Sequence, residues 1–211
     1  LAPEDVAGID VIYHCASTVH NYHVQDKPYL DMRTNIEGTI RLLELCKSLP
    51  KKPAIVYLST FFVYGDEYDR TGVPINEESR TNPLGLYPAT KLCAESAIRM
   101  YGRLYGIPYI ICRLTNVYGE SEAFDDKKKG ALNTLVMSMV RGEPINLYRN
   151  GNFYRDYIHV DDVVSALLFL EQHAKNELFL IGYGTPIMFR DMINHVLDRT
   201  GWRSSVANVE P

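Results

Sequence analysis

The sequence predicts an α/β fold: a doubly wound parallel sheet, with a smaller cap in the C-terminal part of the chain. Three short apolar runs alternate with two helical patterns before Gly119, and this alternation is typical of βαβ units. After Gly119 the pattern loosens into shorter pieces. A chain of 211 residues, 46% of them hydrophobic, is also long enough to bury the core that such a sheet needs.

The elements of the predicted sheet follow one another closely. They are a strand over residues 9–16, a helix over about 29–49, a strand over 54–60, a helix over about 87–105 and a strand over 109–114. The strands are short runs rich in β-branched and apolar residues, and the helices have apolar residues at helical spacing and stop at Pro50 and Gly106. Ligands of such sheets bind at the carboxyl ends of the strands, so we expect the chemistry near Ser17, Thr60 and Asn116.

A less regular second part follows Gly119. Its predicted pieces are a polar loop over 120–130, a helix to about residue 140, an extended piece over 144–148 and a segment over 155–160 that leads into a helix near Asp161. We therefore predict one region over residues 1–119 and a second over 120–211, with some segments of the second returning to the sheet.

The composition excludes several classes of partner. Twenty-two basic and 26 acidic residues give a net charge of −4, so neither nucleic acid nor an anionic membrane surface is expected as a partner. No run approaches the ~20 apolar residues of a membrane span, and the first residues have no signal-peptide character, so we expect a cytoplasmic location. The four cysteines have neither C-x-x-C spacing nor histidine partners, which predicts buried, reduced thiols and no metal site.

One short motif carries candidate chemistry. The sequence Y-P-A-T-K at residues 87–91 sets Tyr87 and Lys91 on one face of the predicted helix. A phenol with a pKa of about 10 is a poor base at neutral pH, whereas an adjacent ammonium group favours the phenolate and lowers that pKa. Taken alone, the spacing is more often that of an ordinary surface pair, so its meaning depends on the surrounding segments.

The surrounding segments resemble those of a known family. They are L-S-T-F-F-V-Y-G at residues 58–65, R-L-T-N-V-Y-G at 113–119 and R-D-Y-I-H-V-D-D-V at 155–163. Together with Y-P-A-T-K they resemble the extended short-chain dehydrogenase/reductase family, most of all its UDP-glucose 4-epimerase-like sugar-nucleotide epimerases and dehydratases. H-C-A-S at 14–17 and N-I-E-G-T at 35–39 are similar to the family's H-x-A-A and N-x-x-G-T segments, so the likeness spans nearly the whole chain.

The resemblance implies three catalytic residues. Tyr87 would be the general base and acid that takes a proton from a sugar hydroxyl while the sugar carbon gives hydride to the nicotinamide. Lys91 would bind the nicotinamide ribose and lower the pKa of Tyr87. Thr60, rather than its neighbour Ser59, would hydrogen-bond the same sugar oxygen. A simple capping hydroxyl at the end of a strand is the alternative interpretation of Thr60.

On the cofactor side, Ala16 and Asn35 match residues that line the dinucleotide, although Asn35 is also an ordinary polar residue for the start of a helix. The family's glycine-rich turn lies upstream of the segment that matches His14, and this sequence has no G-x-G-x-x-G. We therefore expect a fragment whose Rossmann-like sheet lacks its first strands. Residues 1–119 would be the C-terminal part of the dinucleotide-binding domain.

On the substrate side, residues 120–211 would mainly form the region that binds the sugar nucleotide. Asn116 matches an asparagine that contacts the substrate near its pyrophosphate, and Arg155 matches a phosphate-binding arginine. A surface ion pair with Asp156 is the alternative for Arg155. Tyr148 matches an aromatic residue beside the nucleotide base, and a core tyrosine is its other interpretation.

Phe61 and Phe62 narrow the reaction that the resemblance implies. Dehydratases of the family carry Asp-Glu at these positions, and apolar rings cannot protonate a leaving hydroxyl. What remains is an NAD-dependent epimerase, with NADP as the other possible cofactor, that acts on a nucleotide-diphosphate sugar at C4. Relatives often form homodimers through the helix with Y-x-x-x-K and the helix before it. Three alternatives stay open: a reductase of a nucleotide-diphosphate 4-keto sugar, an extended reductase of non-sugar substrates, and a non-catalytic sugar-nucleotide-binding remnant.

Overall fold

The computed structural model describes residues 2–18, 28–67, 73–120, 131–203 and 205–209. In chain order the elements are α1 (Pro3–Val6), β1 (Val11–His14), α2 (Pro28–Asp31), a π-helical segment (Met32–Glu37), α3 (Gly38–Ser48), β2 (Ala54–Thr60), a 3₁₀ turn (Phe61–Tyr64), α4 (Leu86–Tyr105), β3 (Tyr109–Leu114), β4 (Asn116–Tyr118), α5 (Ala131–Arg141), β5 (Ile145–Tyr148), a 3₁₀ turn (Arg149–Gly151), β6 (Tyr154–Arg155), β7 (Tyr157–His159), α6 (Val160–His173), β8 (Glu177–Ile181), β9 (Ile187–Met188), α7 (Phe189–Thr200) and β10 (Val206–Val209). Residues 1–115 with 161–181 form one compact unit, and residues 116–160 with 182–211 form a second.

The first unit is built on a sheet of four strands in the order β1-β2-β3-β8. Every neighbouring pair in it is parallel, which confirms the predicted parallel α/β fold. β2 and β3 coincide with the strands predicted over 54–60 and 109–114, whereas β1 covers only the middle of the predicted 9–16. β8 comes from the part of the chain for which the sequence predicts a cap with segments that return to the sheet.

The core of this unit lies between the sheet and the helices α3 and α4. Side chains that are almost fully buried there include Leu43, Ile55, Ala94, Ile98 and Ile111. α4 stops where the sequence predicts: Gly106 adopts a left-handed φ of 70°, and its N–H donates to the Gly102 carbonyl. The end of α4 lies close to β3, because a Cβ on Gly102 would be 2.6 Å from the ring of Tyr109.

The helix predicted over about 29–49 has an irregular start. Between α2 and α3 the backbone winds as a π-helix over Met32–Glu37. This wider turn is rare in proteins as a whole, but where it occurs it often lies at a functional site. Asn35 lies in this segment and is buried. The apolar spacing of these residues predicts the helix but not this change of winding.

Among the described residues of the second unit, the strands form three two-stranded sheets, β4 with β7, β5 with β10 and β6 with β9. Its core is formed by Met139, Ile145, Leu147, Phe189 and Ile193. α5 and β5 correspond to the helix ending near residue 140 and the extended piece over 144–148, while nearly all of the predicted loop over 120–130 lies outside the described residues. Within the described ranges, no helix combines the length and the apolar character needed to span a bilayer.

The cysteines depart in part from the prediction. All four are free thiols, and Cys46 and Cys112 are buried, but Cys15 and Cys93 are exposed. Cys15 follows the end of β1, and Cys93 lies on the outer face of α4. The prediction of buried thiols is therefore wrong for these two, because an apolar neighbourhood in sequence does not fix which face of an element a side chain occupies.

Candidate active site

Helix α4 places Tyr87 and Lys91 one turn apart. The helix begins at Leu86, after Gly85 in extended conformation, and Pro88 lies in its first turn, where a missing backbone N–H leaves no hydrogen bond unmade. Tyr87 is 9% exposed and Lys91 is 1% exposed. The two residues are thus buried in the first unit, which contradicts the alternative of an ordinary surface pair.

The last two residues of β2 project to opposite faces of the sheet, as successive strand residues do. The Thr60 side chain hydrogen-bonds the phenol of Tyr87, and its Oγ1 accepts the backbone N–H of Phe62 at 3.3 Å. The Ser59 hydroxyl instead donates to the Glu95 carboxylate at 2.5 Å. Thr60 is therefore the hydroxyl that the strand brings to Tyr87, and it caps the following turn as well.

Burial and hydrogen bonding act on the Tyr87 phenol in opposite directions. Burial raises its pKa above the ordinary value, and the charge of Asp31 raises it further. Hydrogen bonds from Ser17 and Thr60 lower the pKa again. The resemblance assigned the lowering to Lys91, whereas in this structure the groups that act in that direction are two hydroxyls.

Lys91 lies against the face of an aromatic ring. Its ammonium nitrogen is 4.2 Å from the centroid of the Tyr57 ring, a cation–π contact. Burial lowers the pKa of Lys91 to about 8, and the neighbouring Glu95 carboxylate opposes that shift. Lys91 therefore remains mostly protonated at neutral pH, but with a weakened hold on its proton.

A buried ion pair between Arg113 and Glu95 lies next to Lys91. The Arg113 guanidinium on β3 donates to both carboxylate oxygens of Glu95 on α4, at 3.0 and 2.7 Å. It also lies 4.8 Å from the centroid of the Tyr64 ring. Because this fork-to-fork pair satisfies both charges, it fixes Glu95, and with it the surroundings of Lys91 one helical turn earlier.

Asn35 connects the end of β1 with α4. Its Oδ1 accepts from the Ser17 hydroxyl and from the Thr18 backbone N–H, each at 3.1 Å. Its Nδ2 donates to the Thr90 hydroxyl at 3.0 Å. The side chain is only 1% exposed and occupied at both ends, so Asn35 holds neighbouring groups in place. Ala16 differs, because it is exposed and presents only a methyl group at the end of the strand.

Asn116 and Arg155 lie in the second unit. Both the backbone N–H and the Nδ2 of Asn116 donate to the Asp156 carbonyl, at 3.1 and 2.9 Å. The Arg155 guanidinium donates to the Tyr154 carbonyl at 2.8 Å and lies 4.5 Å from the centroid of the Phe153 ring. The β4–β7 pairing thus brings Asn116 next to the residue that follows Arg155.

The carboxylate of Asp156, the alternative partner of Arg155, also accepts backbone hydrogen bonds. Asp156 accepts the backbone N–H groups of Tyr183 and Gly184, at 2.8 and 2.6 Å. Tyr148, the last residue of β5, is 50% exposed, and the Arg149 guanidinium lies 5.4 Å from its ring centroid. This exposure contradicts a core tyrosine.

The sequence pattern does not identify the Asp31 carboxylate or the Glu95–Arg113 pair as parts of the site, and it points to the strand end at Ser17 without giving that hydroxyl a role. The sequence does mark Ser17, because the matching H-x-A-A segment of the family ends in alanine at this position. A hydroxyl in place of that methyl group indicates an additional hydrogen bond. Nothing in the sequence marks Asp31, since an acidic residue in the first turn of a helix is explained by the helix dipole. In the structure its Oδ2 is buried, with no hydrogen-bond partner among the described atoms.

Comparison with known proteins places these features in a family context. The model of the NAD dependent epimerase/dehydratase family matches residues 2–182. UDP-glucuronate 4-epimerase 1 of Arabidopsis thaliana is 32% identical over 168 residues, which are 78% of this chain and 38% of that protein.

Two solved structures are similar as well. UDP-glucose 4-epimerase from Thermotoga maritima with UDP-glucose superposes with a TM-score of 0.86 and 27% identity, covering 96% of this chain and 64% of that one. UDP-glucuronic acid 4-epimerase from Bacillus cereus, in complex with UDP-glucuronic acid and NAD, gives 0.87 and 26%, covering 99% and 65%. These similarities confirm the predicted Rossmann-like fold, and the chain spans less than two thirds of each of these proteins.

Proposed function

Because this chain belongs to the NAD-dependent epimerase/dehydratase family, we propose that it acts as an NAD-dependent epimerase on a nucleotide-diphosphate sugar, by transient oxidation at C4. The observation that carries this proposal is the buried phenol of Tyr87 at the carboxyl ends of parallel strands, hydrogen-bonded by Ser17 and Thr60. Once ionised to the phenolate, Tyr87 in such a setting can take a proton from a sugar hydroxyl and later return it. The relatives named above, a UDP-glucose and two UDP-glucuronate 4-epimerases, support the same reaction.

Tyr87 is the proposed acid and base, and Thr60 the proposed partner of the reacting sugar oxygen. Thr60 suits this role because its Oγ1 already accepts the Phe62 N–H, which leaves its proton to donate. The hydrogen bond to Tyr87 holds that hydroxyl beside the phenol.

The groups around Lys91 fit the nicotinamide end of NAD. The ammonium group of Lys91 has three N–H donors, which suit the two ribose hydroxyls, and the exposed methyl group of Ala16 is a suitable contact for a flat ring. Asn35 keeps the neighbouring strand end in place through Ser17 and Thr18. When bound, NAD would supply the hydride acceptor and donor for the sugar carbon, and Lys91 would hold its ribose.

Residues of the second unit are proposed to bind the nucleotide part of the substrate. Arg155 offers a guanidinium fork to phosphate oxygens, and Asn116 lies beside the same segment. Tyr148 offers an exposed ring on which a nucleotide base can stack.

Phe61 and Phe62 argue against dehydration as the reaction. They form the 3₁₀ turn directly after Thr60, and their ring centroids are 4.4 Å apart. Elimination of water needs a group that protonates the leaving hydroxyl, and two phenyl rings have no proton to give. Epimerisation needs no such group, because the hydride leaves and returns at one carbon.

A homodimer is proposed through the outer faces of α3 and α4. Exposed apolar side chains follow both faces: Met32 and Ile40 on the helical stretch before and within α3, and Met100 and Leu104 on α4. Tyr29 and Ile36 extend the first stripe into a shallow groove. Exposed apolar side chains on two helices of one unit are what a subunit interface would bury. We also propose a cytoplasmic location, which the four free thiols support because disulfides are rare there.

The test is product analysis with the full-length protein, NAD and either UDP-glucose or UDP-glucuronate. We expect the C4 epimer to appear by ¹H NMR without net reduction of NAD, since the hydride returns to the sugar. Stoichiometric consumption of NADH or NADPH with a 4-keto sugar would instead identify a reductase. Binding of the sugar nucleotide without any turnover would identify a non-catalytic protein.

The variant Tyr87→Phe should lower kcat by about a hundredfold or more, the size of a lost acid–base group, and leave the affinity for the sugar nucleotide nearly unchanged. Tyr105→Phe is the matched control, because Tyr105 lies at the far end of α4 and is 39% exposed. Wild-type activity in Tyr87→Phe would overturn the proposed mechanism.

A further inference from the structure

We propose that Ser17 is a second hydrogen-bonding partner of the Tyr87 phenol, and that its hydroxyl reverses direction as Tyr87 loses and regains its proton. The inference rests on the proposed role of Tyr87 as acid and base. It concerns a residue next to the strand end at Ala16, which belongs to none of the catalytic positions discussed so far.

The immediate contacts of Ser17 decide the direction of its hydrogen bonds. Its Oγ lies 3.1 Å from the Oδ1 of Asn35 and 3.2 Å from the backbone carbonyl of Thr18. Both of these atoms can only accept a hydrogen bond, so the single proton of Ser17 points toward them. The lone pairs of Ser17 then face the phenol, and the neutral Tyr87 donates its O–H to Ser17.

A closed set of hydrogen bonds fixes Ser17 relative to Tyr87. Asn35 accepts from Ser17 and donates to the Thr90 hydroxyl at 3.0 Å. Thr90 in turn donates to the backbone carbonyl of Tyr87 at 2.8 Å. The path that starts at the phenol thus returns to the backbone of the same tyrosine. A small shift of Ser17 would break at least one of these buried hydrogen bonds, and that is costly.

The two hydroxyls give Tyr87 a suitable partner in both of its states. When Tyr87 is neutral, it accepts from Thr60 and donates to Ser17. When its proton has left, the O–H of Ser17 turns from the Asn35 oxygen to the phenolate, which accepts from Ser17 and Thr60 together until a bound sugar oxygen takes over the single proton of Thr60. No covalent bond of Ser17 breaks, because the only bonds made and broken are the O–H bonds of Tyr87 and of the sugar hydroxyl.

Three ionisable groups face the phenol or its neighbours. The charge of Asp31 on α2 raises the pKa of Tyr87, and charge on Tyr87 in turn raises the pKa of the Tyr57 phenol on β2. Lys91 lies one turn along α4, against the Tyr57 ring. Since the phenolate must form in the presence of the Asp31 charge, a second hydroxyl donor offsets part of that repulsion.

The test is Ser17→Ala in the full-length protein, read out by the ionisation of Tyr87 itself. ¹³C NMR of labelled tyrosine follows that ionisation, and Tyr87→Phe identifies the signal. Loss of one donor to the phenolate should move the titration upward by about one pH unit. The acidic limb of the kcat/KM profile for the epimerase should move in the same direction, while KM for the sugar nucleotide stays nearly constant.

Ser17→Thr keeps a hydroxyl and should therefore keep the wild-type titration of Tyr87. If Ser17→Ala folds poorly, Ser17→Cys replaces it, because a thiol of similar size is a weak donor and should shift the titration in the same direction. Ser96→Ala is the control, because Ser96 bonds only a carbonyl of its own helix on the exposed face of α4. An unchanged Tyr87 titration in Ser17→Ala would overturn this inference even where Tyr87→Phe is inactive. An active Tyr87→Phe would overturn the proposed function alone, because the NMR titration does not depend on turnover.

Discussion

Burial makes a phenol harder to ionise, so a buried tyrosine can act as a base only where its phenolate is stabilised. Tyr87 is buried, and two hydroxyl groups stabilise its phenolate. Burial and the Asp31 charge disfavour the phenolate, whereas Ser17 and Thr60 favour it. The same contacts that exclude water also fix the two donors, so little reorganisation is needed when the charge forms. The useful property of the site is therefore the placement of its hydroxyls rather than the helical spacing of Tyr87 and Lys91 alone.

Lys91 gives a prediction on stability, because its pKa falls from 10.5 to about 8 on folding. Between these two values the unfolded chain binds a proton that the folded chain does not, so the free energy of unfolding rises with pH across this window. Below about pH 8 both states are protonated and this contribution is constant. We expect urea unfolding of the wild type to gain on the order of 2 kcal/mol between pH 8 and pH 10 relative to Lys91→Met. Parallel curves for the two proteins would contradict the lowered pKa.

At the scale of elements, the Glu95–Arg113 pair ties α4 to β3. The pair is almost fully buried, at 1% and 4% of side-chain exposure, with a shortest contact of 2.7 Å. Arg113→Met should lower the free energy of unfolding by about 3–5 kcal/mol, because it leaves the Glu95 charge buried without its partner. The double variant Glu95→Gln/Arg113→Met should recover much of that loss, since it removes both charges.

The control for this prediction is an exposed pair in the same unit. Lys51 and Asp10 are 2.5 Å apart but 81% and 72% exposed, so Lys51→Met should change stability far less than Arg113→Met does. Chemical unfolding of the four proteins at one pH supplies the comparison. An Arg113→Met variant as stable as the wild type would mean that the pair does not carry the α4–β3 contact.

The parts of these elements that could be predicted from the sequence are those with local causes. The predicted bounds of β2, β3 and α4 agree with the structure nearly to the residue. Their apolar patterns and the stop at Gly106 depend only on residues that are close together in the sequence. The π-helical segment could not be predicted, because Asn35 is held by Ser17 and Thr90, which are 18 and 55 residues away. Ser17 as a partner of Tyr87 depends on the same distant contacts. The motif identified Tyr87, Lys91 and Thr60, but the hydrogen bonds between elements were not visible in it.

At the scale of the whole molecule, the candidate residues divide between the two compact units. Thr60, Tyr87 and Lys91 lie in the unit that contains the parallel sheet, and Asn116 and Arg155 lie in the other. The chain passes from one unit to the other after Thr115, Val160 and Ile181. Each unit has its own core, so a substitution in one can alter the binding of one ligand while the other unit keeps its packing.

This division predicts that the two ligands respond to different substitutions. If Arg155 binds the substrate phosphates as proposed, Arg155→Ala removes those charge-assisted hydrogen bonds, and we expect the Kd for a UDP-sugar to rise roughly ten- to a hundredfold. The Kd for NAD should stay within about twofold, because NAD is assigned to the unit with Lys91. Lys91→Met should show the reverse pattern. Isothermal titration of the full-length protein with each ligand measures both constants, and Arg141→Ala, an exposed arginine at the end of α5, is the control. If Arg155→Ala weakened NAD and the UDP-sugar equally, the assignment of the substrate phosphates to Arg155 would be wrong.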